Sequence, residues 1–377
     1  MNTLHPVVIL GSYFWNQELL PRDELSERLR AVRLLMTENG WDGLAIYGDC
    51  AEPGLLAWLT NVSPRMRWTL ALIPQTGEPM LVVPGAVRDF PITALMTPIA
   101  DIRTWGAVSS IIPQWAATLR PGHRPAVAVY GAARMAPSNH AAAIAPLIAN
   151  ADVLDVVREL EPLMRKPRSR ETWLLQEGSR LTCEAALTFR ALVLGGARPA
   201  SAALEAEKAA RLKAAHDVRI LLSRDRGRAL EPFVGMDSPA EDPSTAYIAI
   251  RYLGYWTEAI VTASASPSRV QDAVDAALKS MIANAQVGRT RKDVAGAAGK
   301  HLKGLDRHPV LGSSEVLRMG LSLDESVLWQ TSDEDALESG AVYSLRAAAC
   351  GPDAYAASAL IKLGGKNEVL WSSAAEA

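Results

Sequence analysis

Apolar residues recur at Leu25, Leu29, Val32, Leu35 and Met36 within the stretch 21–39, the spacing of a helix that buries one face. Gly40 follows, a residue type that closes helices in the left-handed conformation. The period then changes. Gly43-Leu44-Ala45-Ile46-Tyr47-Gly48 predicts a short buried strand, 68–74 and 79–83 a hairpin around Gln75-Thr76-Gly77, and 126–130 a further strand. Strands alternating with helical stretches predict a small α/β domain in this first part.

Near Leu160 the texture changes. Met164-Arg165-Lys166-Pro167-Arg168-Ser169-Arg170-Glu171 is basic, polar and broken by a proline, and a helical pattern over 172–194 follows it. We place an interdomain connection here, giving domains 1–160 and 161–377; a loop within one domain is the other reading of the same residues. A weak internal repeat follows: helices flank Leu194-Gly195-Gly196-Ala197-Arg198-Pro199, and again Val287-Gly288-Arg289-Thr290. Strand-like runs fall at 218–223, 246–251, 255–262, 341–345 and 356–363. This order predicts an α+β layer, a curved antiparallel sheet backed by two helix pairs.

Composition supports two globular domains and narrows the partners. The chain has 377 residues, 49% of them hydrophobic and 21% charged, enough material for two ordinary cores. Its 39 basic and 41 acidic residues are interspersed and leave a formal charge of -2, so no long-range field favours nucleic acid or anionic lipid. No unbroken apolar run is long enough to span a bilayer, and the first residues lack the basic start of a signal peptide. A soluble, cytoplasmic protein is the expectation. Cys50, Cys183 and Cys350 stand far apart with no CxxC pair, which suggests neither a disulfide framework nor a thiolate zinc site.

The basic junction 164–171, the repeated helix-glycine-helix units, the hairpin Arg251-Tyr252-Leu253-Gly254-Tyr255-Trp256 and the strand start Gly340-Ala341-Val342-Tyr343-Ser344 together resemble the creatinase, aminopeptidase P and prolidase superfamily. The resemblance implies a C-terminal pseudo-symmetric pita-bread domain, a smaller N-terminal α/β domain before it, and a homodimer with the cleft built across subunits. Metal-using members hold two divalent ions on two aspartates, a histidine and two glutamates, an oxygen-rich set suited to such ions. At the matching positions this sequence has Tyr247, Glu258, Pro309 beside His308, Arg346, and Ala356-Ala357. The resemblance is therefore to a member lacking the metal ligands, and no cofactor is expected. A guanidinium about 4 Å from a cation repels it by about 1 kcal/mol in water and about 4 kcal/mol at an intermediate dielectric.

Creatinase implies hydrolysis of a C–N bond with a histidine base, but the loop Leu230-Glu231-Pro232-Phe233-Val234-Gly235-Met236-Asp237, where that base would lie, has no histidine. The candidates left are Glu258 and His308 as acid/base groups. Arg346, Arg251, Tyr247, Tyr252 and Trp256 are the substrate-binding candidates, because guanidinium and aromatic groups hold a small anionic compound. Even spacing puts Tyr252, Trp256 and Glu258 on one strand face. Arg67, with Arg65 as competitor, resembles an arginine that reaches the partner subunit's pocket. Each has a plainer role: Glu258 pairing with Arg346 or Arg251, His308 structural, Arg67 a solvated turn, and Tyr252, Trp256, Tyr343 and Trp329 in the core. Two functions follow. One is a metal-independent hydrolase acting on an amide, amidine or similar C–N bond; the other is an inactive relative that binds a small ligand, peptide or protein.

Overall fold

The computed structural model describes residues 15–49, 53–64, 68–85, 87, 90–131, 137–156, 158–233, 238–266, 268–323 and 332–374. They form two compact units divided between Arg165 and Lys166.

In the first unit, helix α1 (Arg22–Asn39) buries Leu25, Val32 and Met36 and ends at Gly40, whose positive φ of 68° lets its N–H reach back to the Met36 and Thr37 carbonyls. A six-stranded mixed sheet follows, with β1 (Gly43–Asp49) and β2 (Trp68–Pro74) at its centre, β3 (Met80–Val83) and β4 (Asp101–Thr104) to one side, and β5 (Ala126–Tyr130) and β6 (Asp152–Asp155) to the other. The hairpin expected around Gln75 joins β2 to β3. Every residue of β2 is buried, as befits a strand covered on both faces.

The second unit repeats one plan twice. Helices α2 (Ser169–Leu194) and α3 (Pro199–Arg211) precede β7 (Asp217–Arg224), β8 (Ala229–Pro232), β9 (Ser244–Tyr252) and β10 (Tyr255–Ala263). Helices α4 (Arg269–Asn284) and α5 (Arg291–Gly296) precede β11 (Ser314–Arg318), β12 (Val342–Cys350), β13 (Ala354–Lys362) and β14 (Glu368–Ser372). Each half makes a four-stranded antiparallel sheet, in the orders β10-β9-β7-β8 and β11-β12-β13-β14.

Alternation decides which residues face the helices. Ala246, Ile248 and Ile250 of β9 and Ala259, Val261 and Ala263 of β10 share a core with Leu181, Ala185 and Phe189 of α2. Tyr343, Leu345, Ala347 and Ala349 of β12, with Ala357, Ala359 and Ile361 of β13, pack on Val274, Leu278 and Met281 of α4. α2 approaches β10 closely at Gly178, where an added Cβ would lie 3.2 Å from the Thr257 hydroxyl.

The two sheets meet along β10 and β13 through side chains. Ile260 N–H donates to Ser358 Oγ at 2.7 Å, and Thr262 Oγ1 donates to the Ala356 carbonyl at 2.7 Å. The faces turned away from the helices meet at this seam, where Ile260, Ala348 and Ala356 form a small buried apolar cluster.

Candidate functional site

The β9–β10 turn sets the register of the site. Leu253 and Gly254 both have positive φ, 45° and 96°, the two-residue geometry whose twist matches a hairpin. Tyr252 therefore pairs with Tyr255, Arg251 with Trp256, Ala249 with Glu258 and Tyr247 with Ile260. Paired residues share a face, so Tyr247, Arg251, Trp256 and Glu258 lie on the inner surface. Tyr252 does not. Counting evenly through the turn puts it beside Glu258, but the turn reverses the chain, and Tyr252 packs with the outer core near Gly178 of α2.

Glu258 is fully buried, 0% exposed. Four donors reach its carboxylate: Ser344 Oγ at 2.7 Å and Arg346 Nε at 2.6 Å on Oε1, and Tyr247 Oη at 2.9 Å with Arg346 Nη2 on Oε2. Two donors per oxygen use the acceptor capacity of a carboxylate. The third donor nitrogen of Arg346, Nη1, reaches Glu315 Oε2 at 3.2 Å. One guanidinium thus bridges a buried carboxylate and a second one that is 41% exposed. Burial works to lower the Arg346 pKa, but the Glu258 charge and hydrogen bonds, with Tyr247 and Glu315, raise it on balance. The Tyr247 phenol is pushed well up, first by burial and then by the Glu258 charge, against the pull of Arg346. Its proton stays on, so Tyr247 remains a donor.

Arg346 and Glu315 open onto a cleft of about 750 Å³, where Arg291, Lys292, Arg307 and Asp333 also line the wall. Four cations face two carboxylates, a balance that suits an anionic guest. A second cleft of about 470 Å³ lies in the first unit, around Gln75, Arg103 and Trp115, and holds none of the candidates.

The remaining candidates fall elsewhere. Arg251 is buried, donates from Nε to the Gly254 carbonyl at 3.2 Å, and lies 5.5 Å from the Trp256 ring. Arg219 covers the same ring at 4.7 Å, so Trp256 and both arginines form a stacked layer at the hairpin end and do not line the cleft. Tyr343 sits in the outer core of the second half. Arg67, Arg65 and Trp329 lie outside the described residues.

His308 is buried and committed to backbone. Its Nδ1 accepts from the N–H groups of Val310 and Leu311, both at 3.1 Å, and its Nε2 lies 2.9 Å from the Gly227 carbonyl. That pattern puts the single ring proton on Nε2. With both nitrogens engaged, the ring pins a hairpin and has no lone pair to offer a substrate.

Glu315 and Ser344 complete the site and were not singled out from sequence. Ser344 carried a signal, standing two residues from Arg346 on one strand face. Glu315 carried none. It meets Arg346 only because β11 and β12 pair in that register, across thirty-one positions of sequence.

The donor set does not fit the pair of divalent ions that the resemblance implies for metal-using members. Among the described residues no three His, Cys, Asp or Glu side chains gather in one place, well short of the five ligands such a pair takes in metal-using members. The acid at the centre of the site, Glu258, is already saturated by Arg346 and two hydroxyls of the chain itself.

The fold and inner surface define a pita-bread protein: a small α/β unit followed by two pseudo-repeated halves of helices and antiparallel sheet. The chain is similar to the prolidase of Pyrococcus horikoshii OT3, with a TM-score of 0.72 at 15% identity over 93% of this chain and 99% of that one. It is similar to the X-Pro aminopeptidase of Thermotoga maritima MSB8, with a TM-score of 0.73 at 14% identity over 91% and 96%. The Xaa-Pro dipeptidase of Bacillus anthracis gives a TM-score of 0.69 at 15% identity over 93% and 98%. This likeness establishes the fold of the creatinase, aminopeptidase P and prolidase superfamily. No family model and no curated protein matches the sequence. No helix among the described residues is long and apolar enough to cross a membrane.

Proposed function

We propose that the second unit is a metal-independent hydrolase that takes a small anionic compound into the cleft beside Arg346 and cleaves a C–N bond, of an amide, amidine or similar group. One observation carries this reading: a guanidinium fixed between two carboxylates forms part of the wall of a cation-rich cleft, on a scaffold shared with solved prolidases and aminopeptidases. A fixed guanidinium binds carboxylates and stabilises an oxyanion as charge develops. Of the two carboxylates on Arg346, only Glu315 lines the cleft. We therefore move the proton-transfer role from Glu258 and His308 to Glu315. It takes a proton from the attacking water, while Glu258 positions Arg346.

The saturated state of Glu258 and His308 favours a second reading, an inactive pita-bread protein that binds the same anionic ligand. A chelator-treated preparation screened against amides, ureas and amidines bearing a carboxylate distinguishes the two. Turnover that falls by a factor of about 10² or more in Glu315→Gln supports the hydrolase. Ligand-dependent melting shifts without turnover support the binder, and turnover only on adding a divalent metal overturns metal independence.

A further inference from the structure

We infer that the Arg346 guanidinium is the resident cation of this site, covalently supplied, and that removing it uncovers a latent site for a hard divalent cation. The inference rests on the metal-independent part of the proposed function. Its test uses no substrate, so its failure and the failure of the hydrolytic reading are separate results.

The argument starts from charge. Glu258 is fully buried, and a carboxylate taken out of water needs a compensating positive charge. Its surroundings supply two neutral donors, Tyr247 and Ser344, and one cation, Arg346. The same cation reaches the carboxylate of Glu315, on the neighbouring strand, through its remaining nitrogen. A group bonded to two separate carboxylates, with hydroxyls alongside, occupies the place a bridging ion would take. Arg346 is 14% exposed, so truncating its side chain joins the space it leaves to the cleft that it lines.

What truncation leaves is an all-oxygen set. It comprises the Glu258 and Glu315 carboxylates, the Ser344 hydroxyl and the Tyr247 phenol, open to water on the cleft side. Oxygen ligands of this kind suit Mg²⁺- and Mn²⁺-type ions, with water completing the coordination. Arginine is never deprotonated in proteins, so the native site cannot exchange its cation with solvent.

Mn²⁺ is the probe. Chelator-treated native chain and Arg346→Ala are titrated with it, followed by calorimetry and by the paramagnetic signal of the free ion. The expected result is one Mn²⁺ per chain in Arg346→Ala, bound about tenfold or more weaker when Glu315→Gln is added, and no such uptake by the native chain. Arg346→Met, closer in volume, is expected to behave like the alanine variant. Millimolar guanidinium ion is expected to raise the melting temperature of Arg346→Ala but not of the native chain. A folded variant that takes up no Mn²⁺ overturns the inference. So does a native chain that binds one Mn²⁺ and loses it in Glu258→Gln. If neither variant folds, with Mn²⁺ present or absent, no ion can take the guanidinium's place, and the inference falls as well.

Discussion

The two halves of the second unit are alike on the outside and complementary on the inside. Facing its helices, each presents small and branched apolar residues at alternate positions: Ala246, Ile248 and Ile250 in the first half, Leu345, Ala347 and Ala349 in the second. These faces do one job, excluding water, and similar residues do it equally well. The inner faces share a small apolar cluster of Ile260, Ala348 and Ala356, but their polar groups are not repeated. The first half supplies the buried acid Glu258 and the phenol Tyr247; the second supplies Arg346, Ser344 and Glu315. The cleft is lined by second-half residues, and the first half acts on it through the carboxylate behind Arg346. A repeated fold thus keeps its symmetry where only packing matters and gives it up where charge is needed.

The contact that joins acid to guanidinium is the most consequential link between the halves. Glu258→Ala strips a buried arginine of its main partner and is expected to cost about 3–5 kcal/mol, the usual loss on breaking one side of a buried pair. Arg346→Ala is expected to cost a similar amount, since it leaves Glu258 fully buried with only neutral donors. Because the two residues interact directly, the double variant should lose clearly less than the sum of the singles. Denaturant unfolding of all four proteins checks this. Strict additivity would mean the halves are joined by their seam and not by this ion pair.

How much of this was legible in the sequence follows from the kind of signal each part leaves. The strands were readable as apolar runs, because β9, β10, β12 and β13 are buried along almost their whole length. The convergence of Tyr247, Glu258 and Arg346 followed from the register set by Gly254 and from the resemblance. Tyr252 was misplaced by counting straight through a turn. In a hairpin with a two-residue loop, residues on one face have odd sequence separations across it, as Arg251 and Trp256 do. The saturation of His308 was invisible, since its partners are backbone groups of Gly227, Val310 and Leu311. A sequence gives no sign of where a distant carbonyl will stand.

His308 is a second link between the halves, and it can be broken by acid alone. Its hairpin belongs to the second half, and the carbonyl it grips belongs to the β7–β8 turn of the first. Burial holds its pKa below the usual 6.5, with the Gly227 bond acting the other way. The unfolded chain therefore takes up the proton first. Stability from this residue is complete above about pH 6.5 and is lost as pH falls toward the lower folded value. Protonation would turn Nδ1 from acceptor to donor against two N–H groups, a cost of about 1–3 kcal/mol. Unfolding free energies between pH 8 and pH 5 should decline more steeply for the native chain than for His308→Asn. Equal slopes would mean the hairpin tolerates the charged ring.

Asp275 is the smallest effect and runs in the opposite direction. It sits on α4 of the second half, within reach of the charges of Lys279, Asp272 and Arg190 of the first-half helix α2, and near Tyr355. One oxygen, Oδ1, is buried without a hydrogen-bond partner. Burial is the chief reason its pKa is raised to about 6, partly offset by the lysine and the arginine. A carboxyl raised in the fold stabilises it below the unfolded value of 3.8 and loses that contribution as pH rises through about 6. At neutral pH the group is therefore a cost. Asp275→Asn is expected to raise stability at pH 7.5 by about 1 kcal/mol, since each pKa unit is worth about 1.4 kcal/mol and partial solvation screens some of it. The same substitution should gain little at pH 4. A gain of equal size at both pH values would assign the effect to packing between α4 and its neighbours and not to charge.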